Sequence, residues 1–251
     1  MRAYPGVILF RHTPDPERAV ATAARLCYSS LDVEDLKDDV DKTDQIPFVR
    51  KIISLGHQSV LEHASFTFLI EGISRVTTHQ LVRHRVASYS QRSQRYVREE
   101  GGFRYVIPPC LKQDTKKIDQ FEHLMATIYQ LYDAWVEDGV SQEDARYILP
   151  NAAETKIAVT MNARELRHFF RYRCCQRAQW EIRALSVLML REVLRISPSL
   201  FENAGPFCLA GPCPEGKMTC GLSSQVKEAF SRIATLPEGE LLDRLNCLPF
   251  S

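Results

Sequence analysis

Apolar positions recur at helical spacing through most of this chain and alternate at strand spacing in a few short stretches. Residues 16–28, PERAVATAARLCY, predict a first helix, with Pro16 at its start and an alanine-rich body. Residues 33–43 are acidic and polar and read as an exposed connection or short helix. IPFVRKIISLGH (46–57) is apolar at helical spacing and stops at Gly56. Phe66, Phe68 and Ile70 then alternate with Thr67 and Leu69, which predicts a strand over 64–71. A helix over 74–85 follows, with Ser74 as N-cap and Gln80, Arg83 and His84 on one polar face. The periodicity fails from Val86 to Gln94, so Ser88 to Arg95 read as a loop. Strands are expected around Tyr96 and again at 103–107.

The second half is more regular. A long amphipathic helix is expected over 115–138, its stripe being Ile118, Phe121, Leu124, Ile128, Leu131 and Trp135, with Gly139 as its stop. Ser141 and Asp144 open a short helix that Pro150 ends. TKIAVTMN (155–162) predicts a strand. Asn162 caps a helix to Arg173 with Glu165 in the capping-box position, and 178–196 is the last long helix. The last residues, from Glu228, have weak periodicity and look peripheral. The fold class is α+β: an antiparallel or mixed sheet flanked by long helices in a single domain.

Composition narrows the function classes. The 251 residues are 45% hydrophobic with a net charge of +1, so a general nucleic-acid-coating protein is disfavoured. No stretch approaches the length of a membrane span, and the apolar run before Arg11 is too short for a secretory signal. The expectation is a cytoplasmic protein without membrane contact. Its eight cysteines are then expected as thiols. Cys208, Cys213 and Cys220 lie in a Gly/Pro-rich loop with spacings that match no common zinc pattern. Cys174 or Cys175 could supply a fourth ligand, but no metal site is assigned.

Charge is concentrated locally. From Gly72 to Arg98 there is no Asp or Glu, yet the window holds Arg75, Arg83, Arg85, Arg92, Arg95 and Arg98, interleaved with Ser88, Ser90 and Ser93. Guanidinium forks beside hydroxyls suit bidentate capture of phosphate or carboxylate. Neither a dinucleotide-binding G-x-G-x-x-G nor a phosphate-binding G-x-x-x-x-G-K-[ST] is present, nor H-E-x-x-H. A dense anion site without an evident acid–base pair leaves the hard chemistry to a cofactor. The alternative is a module gripping single-stranded nucleic acid along 75–98, with Tyr89, Tyr96, Phe103 and Tyr105 stacking on bases.

Arg83-His84-Arg85, seven residues, then Ser93 resembles the R-H-R-x7-S signature of the flavin-dependent thymidylate synthases. HQSVLEH, DARYILP, NARELRHFF and AQWEIR resemble that family in the same order, so the similarity covers residues 15–200. It implies a catalytic domain over 1–220, with the 208–220 cysteine loop at its end, and a C-terminal extension over 221–251. It also implies a homotetramer with active sites at subunit interfaces. The implied reaction methylates dUMP to dTMP. Methylenetetrahydrofolate gives the carbon, FAD the hydride and NADPH the electrons, and the folate leaves as tetrahydrofolate.

By the same resemblance, His57, Ser59, Arg83, His84, Arg85, Gln91, Asn162, Ala163, Arg164 and His168 contact the flavin nucleotide. Gln80, Leu81, Val82 and Arg83 line dUMP. Gln91, Arg92, Ser93, Gln94 and Arg95, from a neighbouring subunit, bind its phosphate, and Arg146 contacts it as well. Arg173 is the catalytic residue, a cation that favours the N3-deprotonated uracil. Ser93 reads as a phosphate donor rather than a nucleophile, and the implied route uses neither Cys174 nor Cys175 for attack. Gln91 stands where some members carry an acid and Arg177 where a histidine can occur.

Overall fold

A computed structural model describes residues 1–237 and 240. Residues 238, 239 and 241–251, with Cys247 and much of the expected C-terminal extension, lie outside the described residues. The chain opens with strand β1 (Gly6–His12) and helices α1 (Pro16–Leu26), α2 (Val33–Asp41) and α3 (Ile46–Ser54). Strand β2 (Ser65–Ser74) leads directly into α4 (Arg75–Leu81) and β3 (Ala87–Gln91). Then come α5 (Thr115–Glu137), α6 (Gln142–Ala145), β4 (Glu154–Asn162), α7 (Ala163–Arg173) and α8 (Trp180–Ile196). The short α9 (Pro198–Phe201) and α10 (Ser223–Ser231) follow.

The strands form one sheet in the order β1-β2-β4-β3. The Thr13 N–H donates to the Ser65 carbonyl at 2.9 Å while Gly6 lies beside Glu71, so β1 and β2 run antiparallel. Thr67 and Thr160 pair through their hydroxyls at 3.0 Å, and the Gly72 N–H meets the Glu154 carboxylate at 2.9 Å. That register makes β2 and β4 antiparallel as well.

The chain packs as two compact units. One comprises Met1–Val7, Leu69–Arg83 and Tyr89–Ala158. Its core gathers Phe103, Tyr105, Met125 and Ala153, with Phe121, Ile128 and Tyr129 against them. The other comprises Ile8–Phe68, His84–Ser88 and the chain from Val159. There Phe66, Phe170 and Phe201 meet edge-on, and α8 is buried almost all round. The chain passes from one unit to the other inside each of β1, β2, β3 and β4, and once in the turn after α4.

Several expectations need correction. The apolar run at residues 7–10 is a strand, β1, which short length hid. Residues 87–91, read as loop, form β3: Ala87, Tyr89 and Gln91 turn inward while Ser88 and Ser90 face out. That alternation is written in hydroxyls and an amide, so hydrophobic periodicity misses it. No strand forms at Tyr96 or along 103–107; Tyr105 makes only isolated bridges to Arg2 and Ala153. Of the two readings given for residues 33–43, the short helix is the one observed, over Val33–Asp41, because Leu36 and Val40 are buried. On α5 the inward stripe includes Met125 and Tyr132, whereas Leu124 and Leu131 are 53% and 46% exposed. In the segment expected to be peripheral, Phe230, Ile233 and Leu236 are buried.

Candidate active site

One group of candidate residues is built around α7. The Asn162 Oδ1 accepts from the Glu165 N–H at 2.8 Å, the expected N-cap. Glu165, however, does not reach back to close a capping box. Its Oε1 stands 3.2 Å from the Nδ1 of His84, which is itself buried. The Arg173 Nε, at the far end of α7, donates to the His84 Nε2 at 3.0 Å. An acceptor role for Nε2 places the ring proton on Nδ1, where Glu165 receives it. Burial, then Arg173 and His168, push the His84 pKa down to about 4, so the ring is neutral near pH 7. Burial also lowers Arg173 and raises Glu165. The result is a hydrogen-bonded chain, Glu165–His84–Arg173, that orients a guanidinium from behind.

The remaining members of this group vary in role. His57 and Ser59 are exposed on the turn before β2. His168 is exposed and edge-on to His84 at 5.9 Å. Arg164 is exposed and ion-paired with Glu62. Arg85 is exposed and has no carboxylate partner among the described residues. Ala163 is wholly buried and its N–H is bonded to the Ala64 carbonyl at 2.8 Å, so it holds the helix start and offers no donor. His84, Glu165 and His168 bring ligand atoms within 4.8 Å of one another. With Arg173 bonded to the His84 Nε2, the triad reads as a hydrogen-bond network rather than a cation site.

The second group belongs to the other unit. Ser74 caps α4 by accepting from the Thr77 N–H at 3.2 Å. The helix ends at Leu81, earlier than expected, so Arg83 and His84 lie beyond it and share no helical face with Gln80. Gln80 is half-buried, Leu81 buried, and Val82 and Arg83 exposed. Gln91 donates to the Thr78 and Thr155 hydroxyls, each at 3.2 Å. Arg92 bonds Glu99 at 3.2 Å, and the Ser93 hydroxyl accepts from the Arg95 N–H at 3.1 Å. Arg95 forks onto Glu143 at 2.8 and 2.9 Å, an exposed pair that an incoming anion can replace at small cost.

Arg75, part of the acid-free arginine window but given no contact by the family resemblance, also sits here. Its Nη2 donates to the Gln94 side chain at 2.7 Å, and burial and then Arg146 lower its pKa. Two guanidinium groups close enough to disfavour each other are a place for an anion. A sequence signal existed: a cation in the first turn of α4 opposes the helix dipole and needs a reason. Arg146 gives its Nε to the Glu143 carbonyl at 3.0 Å. Of the four aromatics proposed to stack on nucleic-acid bases, Phe103 and Tyr105 are core residues instead. Arg92, Arg95 and Arg98 pair with Glu99, Glu143 and Asp133, so half of the acid-free stripe is neutralised by acids elsewhere in the chain.

The fold is shared with a solved UMP/dUMP methylase, PolB from Streptomyces cacaoi, bound with 5-Br dUMP. The TM-score is 0.69 at 23% identity, over 80% of this chain and 94% of that one. Residues 8–199 match the family model Thy1, thymidylate synthase complementing protein. A flavin-dependent thymidylate synthase of Geobacter sulfurreducens is 59% identical over 91% of this chain and 99% of its own length. That of Clostridium tetani is 47% identical over 89% and 96%. The chain belongs to the family of flavin-dependent thymidylate synthases. Among the described residues no helix is long and apolar enough to cross a membrane.

Proposed function

We propose that this protein makes dTMP from dUMP, with methylenetetrahydrofolate as carbon donor, FAD as the bound reductant and NADPH as its source of electrons. The relatives bearing this activity in their names reach 59% identity, and the methylase of like fold is titled with a bound dUMP analogue. The observation that carries the reading is the Glu165–His84–Arg173 chain. A half-buried guanidinium held by a neutral imidazole is a cation with a set direction. Placed at the uracil edge, it favours loss of the N3 proton. The anionic ring is then nucleophilic enough at C5 to take the methylene without an enzyme adduct.

The residues present fit a flavin nucleotide. Arg83 and Arg85 are exposed with no carboxylate partners among the described residues, which suits a pyrophosphate. With Arg164, His168, Asn162, His57, Ser59 and Gln91 they are the groups that would hold FAD. When bound, the flavin supplies the hydride that turns the transferred methylene into a methyl group. Arg75, Gln94, Arg146, Ser93 and Arg95, gathered in one chain, supply donors for the phosphate of a dUMP bound against a neighbouring subunit, which thus receives residues 91–95 from across the interface.

Assembly as a homotetramer is supported by apolar side chains left at the surface. Ile8 and Phe10 on β1 are 63% and 46% exposed, and Leu124 and Leu131 stand outward on α5.

The test is Arg173→Ala against wild type. The variant is expected to keep FAD and its yellow colour while dTMP formation falls by roughly a hundredfold or more. Unchanged turnover would remove the role given to Arg173. A colourless wild-type protein that takes up no FAD would remove the reading as a whole.

A further inference from the structure

We infer that Glu99 is a positioning residue for the dUMP phosphate. It holds Arg92 inward as the peg of the 91–95 segment, which leaves Ser93, Gln94 and Arg95 as the donors there. This rests on the reading of residues 91–95 as phosphate-binding, and it removes Arg92 from the donors that the family resemblance implies. Glu99 and Glu100 are neighbours in sequence and take opposite places: Glu100 is exposed, whereas Glu99 is only 7% exposed. A carboxylate leaves water only where a partner compensates it. The partner is Arg92, whose Nη2 donates to the Glu99 Oε2 at 3.2 Å. The side chains of this pair are 25% and 9% exposed, and the pairs made by Arg95 and Arg98 are more open. An incoming anion can exchange an exposed pair cheaply, but drawing Arg92 outward would strand a buried carboxylate.

Both partners are fixed from behind. Arg92 follows the last residue of β3 and gives its main-chain N–H to the Lys156 carbonyl of β4 at 2.9 Å. Glu99 is fastened to α5: the buried Tyr132 hydroxyl is hydrogen-bonded to the Glu99 main chain, and the adjacent Arg98 donates to Asp133 at 2.7 Å. The Arg92–Glu99 bond therefore ties β4 to α5 across the base of the turn between them. The Val97 N–H closes that turn on the Ser93 carbonyl at 3.2 Å.

With its base fixed, the turn presents what remains. The Ser93 hydroxyl accepts from the Arg95 N–H at 3.1 Å, so its own hydrogen is left to donate. The Gln94 Oε1 accepts from Arg75, which leaves the amide N–H groups of Gln94. Arg95 is exposed, and its pair with Glu143 is exchangeable. Glu99 also acts on the second arginine of the cluster, favouring charge on Arg75 where Arg146 opposes it. A shift of Glu99 would therefore move the donors without touching the ligand.

The experiment measures dUMP binding by calorimetry on the full chain supplied with FAD. Glu99→Asp keeps the buried charge and shortens its reach. It is expected to weaken dUMP binding roughly ten- to hundredfold with FAD content unchanged. Glu99→Gln keeps the reach and an acceptor, and should recover most of the affinity. Arg92→Ala should weaken dUMP as Glu99→Asp does, and adding Glu99→Ala to it should cost nothing further. Glu99→Asp that binds dUMP as tightly as wild type, or more tightly, while Arg92→Ala weakens it, would overturn the inference, because a released Arg92 would then be a donor. Wild-type protein that binds no dUMP would instead remove the proposed function, and this role of Glu99 with it.

Discussion

At the level of single residues, His84 is the hinge of the account. Its ring is held neutral, with the proton on the side of Glu165 and the lone pair toward Arg173. Glu165→Ala should leave flavin content unchanged and lower kcat by roughly ten- to hundredfold, the scale of losing an orienting partner. Glu165→Gln, which still offers an acceptor, should recover most of it. Equal kcat in all three would show that Glu165 positions nothing. The pH dependence has a sign. The unfolded His84 takes a proton near 6.5, the folded one only near 4, so stability falls as pH drops through that window. Glu165, raised by burial, acts the other way just above 4.5. The melting temperature of wild type minus that of His84→Gln should therefore shrink between pH 6.5 and 4. The caps at Ser74, Ser141 and Asn162 were legible in sequence because each bonds a backbone N–H three residues on. The His84–Glu165 contact was not, since 81 residues separate the partners.

At the level of elements, the β2-to-α4 joint sets where the arginine-bearing segment begins. Gly72 has φ +72°, and a Cβ there would stand 1.6 Å from the Tyr4 carbonyl oxygen. Gly72→Ala is expected to cost about 3 kcal/mol or more, and to lower the melting temperature accordingly. Gly56, with φ +78° and open space, should cost only about 1–2 kcal/mol on the same change. Equal losses would show that the close approach to Tyr4 does not matter. Helix stops at Gly56 and Gly139 could be read directly, since both adopt positive φ. Strand β3 could not, because its inward face is Tyr89 and Gln91 rather than aliphatic. The α5 stripe was misread through Leu124 and Leu131, apolar residues that point outward.

For the whole molecule, the expected flavin contacts other than Arg83 and Gln91 fall in the unit that holds α7. The expected dUMP contacts other than Arg173 fall in the unit that holds α5. The signature itself spans the change, with Arg83 ending one segment and His84 beginning the next. The outward leucines then acquire a meaning under the proposed assembly. Leu124→Glu with Leu131→Glu should reduce the oligomer seen by light scattering, and turnover should fall with it if residues 91–95 come from a neighbour. Loss of assembly with full turnover would place the whole site within one chain. The membership in the family was legible from the R-H-R-x7-S signature and four ordered segments, whereas the pairing of Arg92, Arg95 and Arg98 with distant acids was not, since those acids lie outside the acid-free window.

The most direct measurement is the identity of the folate product when the purified protein is given dUMP, methylenetetrahydrofolate, FAD and NADPH. The expected products are dTMP and tetrahydrofolate, both dependent on FAD. Dihydrofolate as the product, or dTMP formed equally well without flavin, would contradict the proposed function.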